Sequence, residues 1–332
     1  MAHLSLTLAC WTYDRTRALM DGSVKPEGIS LRLESAQQVG MIMERMVRDR
    51  AYDVAELGFT YYLRTLELSG APFIAIPVFP NRIFRHAAIF VNPSSGIRHP
   101  KDLAGRKVGE LHRYGHDAGI WSKGILQDDY AVPPRSMSHF VGPMEPTADH
   151  ADWAPFRPPP DVRIQPLRPG QGLDAMLAAG EIDALFTAWL PPSFIKGSPN
   201  VVRLFPDYED VERDWYRRTR VFPIMHTIVI RRDLYEANRW IARALMQAFE
   251  AAKAHALAQY RFAETFFGAP FMVPWLPSLI EKNRDLMGRD PWAYGVEPNR
   301  TALETYLRYH ASQGLSTRTW TLEELFAPEC LS

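Results

Sequence analysis

Residues 75–92 read AIPVFPNRIFRHAAIFVN. Two apolar runs frame this stretch, Phe73–Val78 and Ala87–Val91, and each has the length and β-branched content of a buried strand. The link between them carries Arg82, Arg85 and His86 together with two phenylalanines. Setting three potential cations beside buried strands is costly unless an anion meets them. A guanidinium is a planar fork that matches a carboxylate in bidentate fashion. That carboxylate belongs either to a ligand or to an Asp or Glu elsewhere in the chain, and the local sequence leaves both open.

Outward from this stretch, strand and helix patterns alternate, which is the signature of an α/β fold with mostly parallel sheets. Upstream, strands are expected at Leu4–Ala9, Ile29–Leu33 and Tyr52–Leu57. An amphipathic helix is expected over Val39–Arg48 and another over Gly58–Ser69. Downstream come a strand at Lys107–Glu110, a helix from Asp117 to Asp128, and a proline-rich stretch, 131–170, that reads as a long ordered loop or insertion. Then follow a helix at Leu173–Ala179 ending at Gly180, strands at Ile182–Ala188 and Phe222–Arg231, and helical patterns over Asp233–Phe267, Leu276–Leu286 and Thr301–Gln313. One lobe interrupted by another explains the order: residues 1–90 plus 220–332 form lobe I, and 93–215 form an inserted lobe II. Small ligands bind in clefts of such folds, lined by loops at strand carboxyl ends and by helix N-termini.

Composition narrows the function classes. The chain has 332 residues, 46% hydrophobic and 23% charged, which is globular and ordered. Lys plus Arg equals Asp plus Glu, 38 each, so no global charge draws nucleic acid or an anionic membrane. Two cysteines, Cys10 and Cys330, permit no disulfide framework and no CxxC metal pattern. The first residues, MAHLSLTLACWTYD, lack the basic start and long apolar run of a secretory signal and read as a first strand. No run approaches the roughly twenty apolar residues of a membrane span. A cytoplasmic protein is expected.

Four strings carry a resemblance: IPVFPNRIFRHAAIFV, GIRHPKDLAGRKVGE, LFPDYEDVERDWYRRTRVFPIMHTIVIR and DPWAYGVEPNRTALETYLRYHASQGL. Together they resemble the 4,5-dihydroxyphthalate decarboxylase family over nearly the whole chain, with FPIMH and YGVEPN the most specific parts. The resemblance implies a two-lobed type II periplasmic binding protein-like fold. It also implies the loss of one carboxylate from a dihydroxylated benzene dicarboxylate, giving a catechol acid and carbon dioxide without an organic cofactor. Two segments depart from the family pattern. LHRYGHDA at 111–118 is more basic than the Tyr-Gln-Met-Thr-like run it replaces, and AELG at 55–58 stands for a serine-rich string whose Glu is kept.

Cofactor-free aromatic decarboxylation needs electron push from a ring hydroxyl, a proton for the ipso carbon and an anchor for the remaining carboxylate. Arg82 and Arg85 are the candidate anchors. His226 opens the apolar run HTIVI and Glu56 closes DVAEL, so both are expected at strand ends as a proton donor and a base for a ring hydroxyl. His86 could serve as catalyst or anchor, or be an ordinary core histidine. His112, Tyr114 and His116 precede a helix N-terminus, which suits a carboxylate. Trp189, Trp11 and Tyr13 follow strands and could stack on a ring, or simply pack. Tyr294 lies in YGVEPN and is expected to close over the site. A divalent metal is not favoured, although His86, His112, His116, His226 and Glu56 include donors for one. The partner expected is a small aromatic carboxylate, with homo-oligomerisation left open. The competing reading is a solute-binding protein that delivers an aromatic acid to a transporter; a ligand-sensing regulator is disfavoured because no DNA-binding segment is evident.

Overall fold

The computed structural model describes residues 4–146, 158–266 and 271–331. Its strands are β1 (Leu4–Ala9), β2 (Ile29–Glu34), β3 (Val54–Gly58), β4 (Phe73–Ile76), β5 (Ile89–Val91), β6 (Lys107–Leu111), β7 (Ser138–Gly142), β8 (Arg163–Pro166), β9 (Ala184–Phe186), β10 (Val202–Arg203) and β11 (His226–Arg231). The chain divides into two compact units. The first comprises Met1–Arg82, His226–Leu303 and Trp320–Ser332; the second comprises Ile83–Met225 and Glu304–Thr319. The segment Glu304–Thr319, expected with the first lobe, groups with the second unit.

The first unit is built on a five-stranded sheet of order β2-β1-β3-β11-β4. Strands β1, β2 and β3 run parallel, and β11 is antiparallel to both β3 and β4. Every residue of β3 is buried, as a central strand covered on both faces requires. The antiparallel register sets His226 opposite Gly58 and Ile228 opposite Glu56. The parallel register of β1 on β3 sets Ala9 opposite Ala55, so the residues after Ala9 emerge beside Glu56. The ends of β1 and β3 and the start of β11 therefore meet at one edge of the sheet. The Phe59–Leu66 helix leaves directly from that edge with all eight residues buried. The Trp240–Thr265 helix packs through Ile241, Leu245, Ala248, Phe249 and Ala252, a spacing of three to four residues that keeps one face inward. Its expected end, Phe267, lies outside the described residues.

The second unit carries a six-stranded sheet of order β10-β5-β9-β6-β7-β8. Alternation along β5 divides its core: Ile89 and Val91 join Val108, Leu126 and Phe186 on one side, while Phe90 joins Leu173, Leu177 and Leu185 on the other. At Gly109 a Cβ would stand 2.7 Å from Ile182 and 2.9 Å from Leu173, so this close approach admits no side chain. The proline-rich stretch departs from the expected loop. It contains β7, paired in parallel with β6, and β8, paired in parallel with β7, although 147–157 lie outside the described residues. Proline is compatible with the end of an outer strand, where its missing N–H breaks no ladder, and Pro166 sits there. Two strand starts also move. Residues His86–Ala88 form a 3₁₀ turn before β5, and β11 begins at His226 rather than Phe222, since Pro223 cannot donate to a ladder.

Candidate active site

The edge where β1, β3 and β11 meet in the first unit gathers Cys10, Trp11, Tyr13, Glu56 and His226. Glu56 is wholly buried, and both carboxylate oxygens are occupied. Oε1 accepts from the Tyr13 hydroxyl at 2.6 Å and lies 2.6 Å from His226 Nδ1; Oε2 accepts from the Trp11 N–H at 2.9 Å and the Cys10 thiol at 3.4 Å. Burial alone would raise the Glu56 pKa. The His226 hydrogen bond and charge, then the Tyr13 and Trp11 bonds, outweigh it and hold the carboxyl below its ordinary range. Tyr13 is pushed far up by burial and by the Glu56 charge, so it stays a hydroxyl donor. Cys10 is raised well above the ordinary thiol by the same two causes, which keeps it a thiol rather than a nucleophile. His226 retains 8% exposure. Its Nδ1 is fixed by Glu56, and that is the one hydrogen bond the ring makes among the described residues. A carboxylate holding one imidazole nitrogen fixes the ring, leaving the other nitrogen to move a proton.

The remaining first-unit candidates lie around this pair. Trp11 packs edge-on against Tyr13 at 5.5 Å. Arg82 is buried and engaged: Nη1 donates to Asn299 Oδ1 at 2.7 Å and to the Ala293 carbonyl at 3.3 Å, tying the 293–299 loop in place. Tyr294 is buried with Lys253 Nζ 4.5 Å above its ring. One residue absent from the sequence-based set belongs here. The Arg15 guanidinium is sandwiched between the rings of Tyr13 and Trp292, at 4.1 and 4.2 Å, and its Nε donates to Pro80 O at 2.6 Å. The signal was a cation two residues after an aromatic at a strand end, in a loop that reads as ordinary polar connection.

In the second unit, Arg85 is the notable cation. It is 6% exposed, and its only hydrogen-bond contact among the described residues is the Met225 thioether, at 2.9 and 3.3 Å. Burial pulls its pKa down to about 10, against the raising effect of Asp117 and Glu212. A buried guanidinium facing only a weak acceptor is suited to an anionic ligand. His86 is boxed by Phe205 and Trp215 at 5.3 and 5.7 Å, and neither ring nitrogen has a hydrogen-bond partner among the described residues. Burial pulls it down to about 4, so it sits neutral, with Glu212 Oε1 3.9 Å from Nδ1. His112 is exposed in a left-handed turn at φ 63°, and Trp189 is 49% exposed, its backbone tied to Thr187.

Tyr114 and His116 belong to a buried charge cluster around Glu110. Lys123 Nζ lies 2.5 Å from Glu110 Oε1, His116 Nδ1 3.5 Å from the same oxygen, and His139 Nδ1 3.4 Å from Oε2. Lys123 also sits 3.7 Å over the Tyr114 ring. Burial would raise Glu110, but Lys123 and the two histidines hold it well below the usual carboxylate range. A Cβ at Gly119 would stand 2.2 Å from Glu110 Oε1, so glycine there makes room for the carboxylate. Glu110 gave the same signal as Glu56, a carboxylate inside an apolar strand, and sequence reasoning passed it over. Among the described residues no group of three or more His, Cys, Asp or Glu is arranged to hold a metal ion. No described helix is long and apolar enough to cross a membrane.

Comparison with known proteins adds the following. No family model matches the chain. A 4,5-dihydroxyphthalate decarboxylase of Comamonas testosteroni is 34% identical over 334 aligned positions, covering 100% of this chain and 98% of that protein. Another of that name from Pseudomonas putida is 32% identical over 217, covering 65% of this chain and 83% of the relative. Among solved structures, a periplasmic sulfonate-binding protein of Methylobacillus flagellatus KT aligns with TM-score 0.54 at 16% identity, over 100% of this chain and 94% of that one. The periplasmic aliphatic sulphonate-binding protein of Escherichia coli aligns with TM-score 0.51 at 13% identity, over 97% and 91%. These likenesses establish the periplasmic binding protein fold.

Proposed function

The chain belongs to the 4,5-dihydroxyphthalate decarboxylase family, and from that premise we propose that it removes one carboxylate from a hydroxylated aromatic acid such as 4,5-dihydroxyphthalate, with His226 as the proton donor. It is a carboxy-lyase. The observation that carries the residue assignment is the 2.6 Å contact of Glu56 Oε1 with His226 Nδ1, beside an Nε2 that no other described residue engages.

In the proposed step, an ionised ring hydroxyl pushes electron density toward the carbon bearing the leaving carboxylate. The His226 imidazolium transfers its Nε2 proton to that carbon. The bond to the carboxylate then breaks, its electron pair restores the aromatic ring, and carbon dioxide leaves. Neutral His226 regains its proton from solvent. Positioned proton transfer of this kind contributes about 10²–10⁴-fold. Glu56 is a positioning residue, because both its oxygens are occupied and it has no exposed surface. Tyr13 holds the same carboxylate, and Arg85, in the second unit, is assigned to recognition of an anionic group because no carboxylate side chain among the described residues contacts it. The reaction needs no organic cofactor, since the ring hydroxyl supplies the electrons. A cytoplasmic location is part of the proposal, tested by cell fractionation.

The test is release of carbon dioxide from 4,5-dihydroxyphthalate and its positional isomers, before and after exhaustive dialysis against EDTA. His226→Ala is expected to lose at least a hundredfold in kcat in the same assay. Full activity in that variant removes His226 from the mechanism. Saturable binding of every acid without turnover would favour the solute-binding alternative.

A further inference from the structure

The first unit holds a cavity of about 550 Å³ between the Trp240–Thr265 and Leu276–Met287 helices. Neither Glu56 nor His226 lines it. Leu257, Leu276, Ile280 and the Trp292 ring form its apolar wall. Leu276 and Ile280 are four residues apart and share one helix face, yet that helix buries none of its residues. Apolar faces of adjacent helices ordinarily close on each other. Here they leave a space within the range of small-molecule sites, roughly 300–1,000 Å³.

The charge of the wall is one-sided. Arg15, Lys253, Arg261, Arg284 and Arg289 line it against Asp14 and Glu264. Lys253 is held by Asp290 at 2.8 Å and Glu250 at 2.9 Å, and Arg284 by Glu264. Arg261 and Arg289 have no carboxylate partner among the described residues. Arg15 is fixed on three sides: Nε on Pro80 O, Nη1 on Asp14 Oδ1 at 2.9 Å, and both guanidinium faces on rings. Its Nη2 has no partner among the described residues. Asp14 is itself held by the Tyr260 hydroxyl at 2.6 Å, so the guanidinium is preorganised rather than adaptable.

We propose that this cavity is a second binding site, taking a small aromatic carboxylate with its ring on Trp292 and its carboxylate on Arg15 Nη2, with Arg261 and Arg289 at the rim. An apolar wall, the Trp292 ring and guanidinium groups, of which Arg261 and Arg289 have no carboxylate partner among the described residues, together select an aromatic anion over a neutral ring or an aliphatic acid. Neither Glu56 nor His226 lines the site, although its Arg15 stacks on Tyr13, whose hydroxyl holds Glu56, and the proposal does not depend on the decarboxylase assignment.

Phthalate is the probe, because it carries ring and carboxylates but no hydroxyl to drive loss of carbon dioxide. Calorimetric titration of the full chain is expected to show a binding component that Ile280→Trp, which fills the cavity, weakens at least tenfold. Arg289→Ala, at an exposed position, is expected to weaken it about threefold to tenfold and guards against a filling variant that misfolds. His226→Gln is expected to leave this component within twofold, and Ile280→Trp to leave turnover within twofold. Absence of phthalate binding overturns the proposal. So does binding abolished by His226→Gln and untouched by Ile280→Trp and Arg289→Ala. A change of solution mass in Ile280→Trp, with no phthalate bound by the native chain, assigns the cavity to a second copy and also overturns it. Loss of turnover alone across the native substrate panel would count against the decarboxylase reading and leave this one intact.

Discussion

Replacing Glu56 by Gln keeps the shape of the side chain and removes its charge, so it isolates what that charge does for His226. In the native site the carboxylate lies 2.6 Å from Nδ1 and fixes the ring. Unit charges about 4 Å apart are worth about 4 kcal/mol at an effective dielectric of 20. A hydrogen bond to a charged group is worth about 1.5–3 kcal/mol. Taking about 3 kcal/mol for the lost orientation and contact, the penalty corresponds to about 10²-fold in rate, since about 1.36 kcal/mol is tenfold. The amide also adds two N–H groups where the carboxylate only accepted. Set at Oε2 they oppose the Trp11 N–H, and set at Oε1 they force His226 Nδ1 to become an acceptor, which holds the ring neutral. A buried donor left unmatched costs about 1–3 kcal/mol. We therefore expect Glu56→Gln to lose about 10²-fold in kcat, with a smaller change in KM, and to unfold at lower denaturant. The stability deficit has a pH signature. The native Glu56 pKa lies below its unfolded value, so its contribution is present above the unfolded carboxylate range and vanishes as pH falls through the folded pKa. The assay is initial-rate release of carbon dioxide across pH, beside urea unfolding of both proteins. A folded Glu56→Gln whose kcat stays within threefold of native refutes the reasoning.

Other expectations follow from the same contacts. His86 sits at about 4 when folded against about 6.5 unfolded, so stability falls as pH drops from about 6.5 towards 4, by up to about 3 kcal/mol. His86→Phe, matched to its aromatic box, is expected to abolish that slope in urea melts at pH 5 and 7 and to keep turnover. Arg85→Met removes a buried cation with no carboxylate contact, so thermal unfolding is expected to be unchanged or raised while KM rises roughly 30- to 100-fold. Lys123→Met strands Glu110, and unfolding free energy is expected to fall by about 3–5 kcal/mol in urea titration.

The apolar runs were enough to read the five strands of the first sheet and β5, β6 and β9 of the second, because strands buried on both faces announce themselves by composition. What they could not reveal was pairing inside the proline-rich stretch, where β7 and β8 are held by neighbours far away in sequence rather than by propensity. The Glu56–His226 pair was legible as two separate strand-end residues. Their contact was not, since 170 positions separate them and only the antiparallel register brings them together. Arg82 and Arg85 looked equivalent in the sequence, three positions apart in one loop. They differ because Asn299 reaches the first and no comparable acceptor reaches the second. Arg15 was invisible because its role depends on Trp292, a partner supplied by a distant loop.

The margins of the two sheets bear on how the chain behaves when concentrated. One sheet ends in β10, only two residues long, and in β8, which finishes on Pro166. The other ends in β2, which carries Arg32 and Glu34, and in β4, whose Ala75 is bridged by Phe326 and bonded by the Ala327 N–H. Short, charged, proline-ended or covered rims offer little template to a foreign strand. Removing the C-terminal cap by truncation before Phe326 would bare β4, and self-association through that rim is the expected result.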